Sequence, residues 1–366
     1  MKKKILFLSR SLGAGGAEKR MINIACLLKQ RGYYVSFVSY SRNDFFADVL
    51  KEENIEVKWL QEGSFARKLI NVWRIIKREK YEVTISLLPT LNIINCFSSI
   101  GNKNKVVIGE SSASSQFEKF MGWKYVVRGY FEDYMAFLLA DRIVSNSKNA
   151  CELRKKRSGF LSKKLVVIYN PVTVTPSPCD YIVKNNGILH IVVGASIQSV
   201  KNPLIVIKAI SQLDSLLLNK LRLDWYGSPV EKTLHETIKN EIRNNKLEDF
   251  VCFHDATKDI ATKMIQADVV ALFSVVEGLP NAICEGMMLG KPILMTKVSD
   301  YSTLVNNNGF LCESNDEFSI KKAITEAINT SPEVLVKMGS KSLEKAEKLF
   351  KPEAIGDEWR DTIDRV

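Results

Sequence analysis

Residues 277–285 read EGLPNAICE, two carboxylates eight positions apart around a glycine, a proline and an asparagine. Such a pair has three ordinary uses. It can be solvated surface charge, an acid and base for glycoside hydrolysis, or a clamp on one ligand. The preceding run DVVALF reads as a buried strand, and Pro280 suits the first turn of a helix that follows it. Glu277 then belongs to the strand-end loop, and Glu285 lies more than a turn inside the helix. Between them, around Leu279–Ala282, fall the free N–H groups of a helix N-terminus, which favour an anion. Carboxylates that accept from hydroxyls, beside donors facing a diphosphate, would suit a nucleotide sugar. Spacing alone leaves all three uses open.

Two further stretches carry comparable chemistry. VGASIQSVKNPLIVIKAI sets Lys201 at the expected start of a helix with Asn202 and Pro203. A helix N-terminus disfavours a cation, so an anionic ligand would give this lysine a purpose, although a solvated lysine is the plainer account. SLGAGGAEKR follows the first expected strand and opens the first helix. Its glycines would let backbone N–H groups approach a phosphate. It is neither the dinucleotide fingerprint nor a P-loop, and a tight turn explains it equally well alone.

These residues need strands and helices to hold them. In the first half the expected strands are KILFLS, YVSFVSY, EVTISLL, KVVIG and RIVSN. Ala17, Met21, Ile24, Ala25 and Leu28 give the first helix one apolar face, and Gly32 stops it. A stretch with three prolines near 170–187 reads as a linker. ILHIVVG, LRLDWYG, FVCFH, DVVALFS and KPILMT then form a second series. Apolar runs alternating with amphipathic ones indicate an α/β chain with parallel sheets. Two such units usually bind ligand at the carboxyl ends of their strands, and each stretch above sits just after a strand.

At 366 residues two domains are expected. ILFLS is too short for the core of an export signal, and no run is long and apolar enough to span a membrane. Seven scattered cysteines with no C-x-x-C pair indicate reduced thiols in a cytoplasmic protein, not a zinc or disulfide framework. Charge is unevenly divided. Residues 1–170 hold 30 of the 52 Lys+Arg but 15 of the 41 Asp+Glu, so the net +11 arises there. The stretch SFARKLINVWRIIKREK at 64–80 is strongly basic with one apolar side, and 120–139 interleaves aromatics with few charges. Both suit helices facing a core. They also suit a surface resting on an anionic inner membrane. No nucleic-acid motif accompanies the charge, and no nucleic-acid partner is expected.

Taken together, GAGGAEKRMINIACLLKQRGYYV, ADRIVSNS, VIYNPV, VVGASIQSVKN, FSVVEGLPNAICEGMMLGKPIL and NNNGFLC resemble, in order, a retaining GT-B glycosyltransferase of family 4, the "glycosyl transferases group 1". The resemblance implies two Rossmann-like parallel-sheet domains facing each other across a cleft. They would be an acceptor-side domain at 1–170 and a nucleotide-sugar domain at 171–350, with a C-terminal helix at 351–366 packing back on the first. It further implies that Glu277 contacts donor-sugar hydroxyls, Glu285 the ribose, and Lys201 the diphosphate. Gly278, Leu279, Pro280 and Asn281 would line the donor, and Gly15 and Gly16 would close over the diphosphate. Two departures stand out. Ala195 and Ser196 occupy places where the family commonly carries an arginine, and no histidine precedes His190. Glu110 and Ser111 fall where the missing histidine would be and are the candidates for the acceptor side.

The implied reaction moves a hexose-type sugar from a nucleotide-diphosphate sugar, UDP favoured over GDP, to a glycan or lipid-linked glycan hydroxyl with retention. The setting would be cell-surface polysaccharide synthesis on the cytoplasmic face of the membrane. A nucleotide-sugar epimerase of the same fold and a non-catalytic sugar-binding protein are the rivals. No D-x-D sequence is present, so neither a metal nor a cofactor is expected. Transfer should therefore persist in excess EDTA. Loss on chelation with recovery on adding magnesium or manganese, followed by nucleoside diphosphate release, would overturn this.

Overall fold

The computed structural model describes residues 2–13, 15–42, 45–110, 134–174 and 187–366. The chain divides into two compact units, Met1–Thr173 with Lys351–Val366, and Val174–Phe350. Each is built on one parallel sheet. The first sheet holds β1 (Lys4–Ser9), β2 (Tyr34–Ser39), β3 (Glu56–Trp59), β4 (Val83–Ser86), β5 (Lys105–Glu110), β6 (Arg142–Ser145) and β7 (Leu165–Val167). Its order is β3-β2-β1-β4-β5-β6-β7. The second holds β8 (Leu189–Gly194), β9 (Leu221–Tyr226), β10 (Val251–His254), β11 (Val269–Leu272), β12 (Ile293–Thr296) and β13 (Gly309–Cys312). Its order is β10-β9-β8-β11-β12-β13. In both sheets the strand sequence grows outward one way and then reverses, the doubly wound arrangement.

Ten of these strands are the apolar runs read from the sequence, and three are not. β3 is a half-buried strand at the sheet edge whose Lys58 pairs with Glu79, so it lacks the apolar signal. β7 has three residues. β13 lies within NNNGFLC, where only Phe310 and Cys312 face the core. The expected linker lies partly outside the described residues, since 175–186 are not among them.

The first unit closes around the sheet through the helix Gly16–Gln30, which buries Met21, Ile24, Ala25 and Leu28 as its periodicity requires. Phe7 and Phe37 stack beneath it at 5.1 Å between ring centroids. The last helix, Pro352–Asp364, returns to this unit and buries Ile355, Trp359 and Ile363. Polar contacts fix it there: Arg31 pairs with Asp357 at 3.0 Å, Tyr33 donates to Asp364 at 2.7 Å, and Lys3 donates to the Ile363 carbonyl at 2.8 Å.

In the second unit Leu223, Trp225, Val206, Ile207 and Ile210 share one core, with Trp225 stacked on Phe253. The helix Asn281–Met288 lies on β11 so closely that a Cβ on Gly286 would stand 2.7 Å from the Val270 Cβ. It ends at Gly290, whose φ of +69° is the left-handed turn after a helix. Lys291 follows, buried, and its ammonium donates to the carbonyls of Ile265 and Ala267 at 2.6 and 2.9 Å. Those carbonyls end the helix Ile260–Gln266, where a cation also meets the negative end of the dipole. Gly286→Ala should cost about 1–3 kcal/mol of unfolding free energy by forcing the helix off β11. Val270→Ala in the same chain should recover part of that loss, a coupling that urea unfolding of the two singles and the double would measure.

Candidate functional site

β8 and β11 are neighbours in the second sheet, with Ile191 beside Val269 and Val193 beside Ala271. The strand order reverses between them, so their connections depart to opposite faces and leave a crevice at their carboxyl ends. Lys201 comes from the loop after β8 and Glu277 from the loop after β11. The two loops are stapled together, since the Val275 amide donates to the Val200 carbonyl at 2.9 Å.

Lys201 closes the short turn Ser199–Lys201, and Asn202 in the left-handed conformation (φ +63°) starts the helix Pro203–Ser211. Its ammonium is hydrogen-bonded to Glu277 Oε1. The side chains are only 19% and 13% exposed, so each supplies the countercharge that the other has lost from water. Ser274 donates to the same Oε1 at 2.7 Å, and its own carbonyl accepts from the Thr296 hydroxyl at 2.6 Å. Ser274 and Thr296 are fully buried and fix the carboxylate from below. Among the described residues no donor reaches Glu277 Oε2. Beside Lys201, the buried Asn202 Nδ2 also lacks a hydrogen-bond partner.

The chain then runs through Gly278, Leu279 and Pro280, all buried, into the helix Asn281–Met288. Pro280 is the residue before the helix, not part of its first turn. It can offer no side-chain cap, and the amides of Ile283 and Cys284 turn back to its carbonyl. Ser299, from the loop after β12, donates to the Gly278 carbonyl and holds this turn in place. Glu285 sits half-buried in the second turn. Burial pushes the Cys284 thiol well above its usual range, and the nearby carboxylates of Glu285, Asp300 and Glu277 push it further. Three acidic groups thus converge on one side of this helix, with Lys201 bonded to one of them.

The same sheet carries a second polar network. Asp224 on β9 is buried and accepts from Arg222 at 3.0 Å, with His190 Nε2 and His254 Nε2 at 2.7 and 2.8 Å. Burial would raise its carboxyl, but hydrogen bonds from His190, Arg222 and His254 hold it well below the usual carboxylate range. Asp224, Cys252 and His254 are also spaced as metal donors could be. The carboxylate is already satisfied by a guanidinium and two imidazoles, and this accounts for the cluster without an ion.

Of the sequence-derived candidates, Lys201, Glu277, Gly278, Leu279, Pro280, Asn281 and Glu285 come together in the second unit. Gly15 and Gly16 lie in the first unit, after β1. Gly15 precedes the helix Gly16–Gln30 with ordinary extended angles (φ −74°, ψ 151°) and no side-chain cap, so the glycine is not there for a left-handed turn. Glu110 ends β5, paired with Ser145 of β6. Ser111 and most of 120–139 lie outside the described residues. Ser274, Thr296, Ser299 and Asp300 escaped the sequence reading. No described helix is long and apolar enough to cross a membrane.

Residues 183–345 match the family model "Glycosyl transferases group 1". Over 98% of its length the chain is 28% identical to an uncharacterized glycosyltransferase of Haemophilus influenzae, covering 99% of that protein. It is 23% identical, with 89% of each chain covered, to the Campylobacter jejuni GalNAc-alpha-(1->4)-GalNAc-alpha-(1->3)-diNAcBac-PP-undecaprenol alpha-1,4-N-acetyl-D-galactosaminyltransferase. The crystal structure of Anabaena HepE in complex with UDP-glucose superposes with a TM-score of 0.85, at 20% identity and full coverage of both chains. These findings bear out the resemblance to group 1 glycosyltransferases and the two Rossmann-like parallel sheets of the GT-B fold.

Breaking the ion pair should separate stability from ligand binding. Glu277→Ala strands the Lys201 ammonium and should cost about 2 kcal/mol or more. Lys201→Met combined with Glu277→Leu should regain most of that stability, read by thermal unfolding. A double variant no more stable than Glu277→Ala would contradict this account of the pair.

Proposed function

With residues 183–345 carrying the group 1 glycosyl transferase match, we propose that the chain transfers a hexose-type sugar from a nucleotide-diphosphate sugar to a hydroxyl of a glycan or lipid-linked glycan, with retention. Its place would be cell-surface polysaccharide synthesis on the cytoplasmic side of the membrane. The observation that carries the reading is the Lys201–Glu277 pair at the strand-order reversal, beside the helix that begins at Asn281. The complex of the HepE structure with UDP-glucose favours a uridine diphosphate donor. The undecaprenol-linked substrate in the Campylobacter relative's name favours a lipid-linked acceptor.

Donor binding would exchange partners. The diphosphate takes the Lys201 ammonium from Glu277 and meets the amides at the start of the helix Asn281–Met288. Glu277, still held through Oε1 by Ser274, then accepts from sugar hydroxyls, and Glu285 accepts from the ribose. As the bond from the anomeric carbon to the phosphate oxygen breaks, charge grows on the diphosphate, where Lys201 and the helix N-terminus are already oriented. The acceptor oxygen bonds to that carbon from the departing side, and its proton passes to the phosphate. The products are the glycoside and the nucleoside diphosphate, and no protein nucleophile is consumed.

Thermal unfolding with UDP-, GDP- and free sugars tests the reading. A nucleotide sugar at about 100 times its Kd should add about 2.7 kcal/mol to the wild type, and Lys201→Ala should lose that stabilisation while keeping its fold. Stabilisation by free sugar alone would indicate a sugar-binding protein. Conversion of the nucleotide sugar to an epimer without acceptor, followed by proton NMR, would indicate an epimerase. Either result would replace the proposal.

A further inference from the structure

Strand alternation divides the side chains of β9 and β10 sharply. Leu223, Trp225 and Val251 enter the core of the second unit, and Arg222, Asp224, Tyr226, Cys252 and His254 turn to the other side of the sheet. On that side the helix Ile260–Gln266 lies over β8, where a Cβ added to Gly194 would stand 3.2 Å from the Met264 methyl. Farther out, at the edge strand β10, the polar side chains meet water. The Arg222 and His254 side chains are 55% and 37% exposed, and Cys252 is half-buried.

The two oxygens of Asp224 are not held alike. Oδ2 has His190 at 2.7 Å and Arg222 at 3.0 Å, whereas Oδ1 has His254 at 2.8 Å and the outer guanidinium nitrogen at 3.5 Å. These bonds account for the carboxylate, the guanidinium and both imidazoles without an ion, but they leave out the Cys252 thiol. Its hydrogen bond is a long one, 3.9 Å to the Glu248 carbonyl. Cys252 nevertheless stands opposite Asp224 in the ladder and two residues before His254, so all three project from one side. A carboxylate oxygen, the sulfur and a ring nitrogen lie within 4.8 Å of one another.

We propose that Asp224, Cys252 and His254 bind a thiophilic divalent cation of the zinc class, with His190 as a positioning residue. Magnesium and calcium take oxygen donors, whereas one thiolate, one imidazole and one carboxylate suit zinc. Donors at about 2.0–2.3 Å from a tetrahedral ion stand about 3.3–3.6 Å apart. The His254–Asp224 contact would therefore open by about half an ångström while Cys252 closes in. The ion takes the place of the His254 hydrogen bond on Oδ1, the ring proton moves to Nδ1, and the thiol proton goes to water. Oδ2 keeps its bond from His190, which orients the carboxylate toward the ion. Water on the open side supplies the fourth ligand. Bound there, the cation ties the edge strand β10 to β9. None of its donors belongs to the Lys201–Glu277 crevice, so the site is compatible with transfer that persists in EDTA, and it is measured without any nucleotide sugar.

Cobalt and zinc titrations of the full chain, stripped with EDTA and then freed of the chelator, test the site. Cobalt should give a thiolate charge-transfer band in the near ultraviolet and the visible bands of a tetrahedral ion. Cys252→Ser should abolish the charge-transfer band and weaken zinc binding by more than about tenfold, read in competition with a chromogenic chelator. His190→Gln should weaken zinc about tenfold and keep the band, as expected of a residue that acts through the carboxylate. Cys26→Ser, in the first unit, should bind like wild type. Zinc should raise the melting temperature of wild type but not of Cys252→Ser, and the two should melt alike in EDTA, which separates lost binding from lost fold. A wild-type cobalt spectrum without the thiolate band would overturn the proposal. So would a Cys252→Ser chain that binds zinc as tightly as wild type, which would place the ion on other thiols.

Discussion

A lysine and a glutamate 76 residues apart in the chain are held together largely out of water, and the second unit is arranged around that contact. Either charge left there alone would lower the stability of the unit. The pair exists because β8 and β11 lie side by side while their connections diverge, so two loops distant in sequence share one crevice. Its standing geometry is an ion pair, and the proposed donor binding would exchange its partners. An anionic ligand that captures the ammonium leaves a carboxylate free for hydroxyl groups, so the two halves of a nucleotide sugar would be recognised by one rearrangement.

The surrounding contacts would hold the carboxylate in place through that exchange. Ser274 and Thr296 hold Glu277 from the sheet side, and Ser299 holds the Gly278 turn from β12. The Val275–Val200 hydrogen bond keeps the loops at a fixed spacing. Glu277 can thus release its lysine without collapsing, since one of its two hydrogen bonds is to a fully buried serine. The helix that follows has no side-chain cap, and its close seat on β11 fixes its axis. The carboxylates of Glu285 and Asp300 lie near the buried Cys284 of this helix.

Most of the fold was legible because buried parallel strands are short apolar runs, and ten of the thirteen strands among the described residues announced themselves that way. β3, β7 and β13 did not, being an edge strand carrying a paired lysine, a three-residue strand, and one that alternates around a glycine. The buried ion pair was legible for a different reason. Glu277 and Lys201 each follow a strand, and both belong to motif stretches that resemble one family. Their supports were not. Ser274 and Thr296 look like ordinary small residues at strand ends, and only the folded chain brings them under the carboxylate. Asp224 gathers its partners from three strands, which no spacing in the sequence could reveal. Lys291 reads in the sequence as an ordinary loop lysine, yet it is buried and binds the carbonyls that end a neighbouring helix.

The return of the helix Pro352–Asp364 to the first unit sets an order on biosynthesis. The second unit is one continuous stretch, whereas the first draws Trp359 and the partners of Arg31 and Tyr33 from the segment that follows it in the chain. A ribosome releases these residues after those of the second unit. The segment translated first must therefore wait, with the seat for Trp359 open, while the later unit is synthesised and folds. Domains usually mature from the amino terminus onward. In this chain the first unit is completed after the second, and a ribosome that stalls before Pro352 would leave it, not its neighbour, exposed to proteolysis.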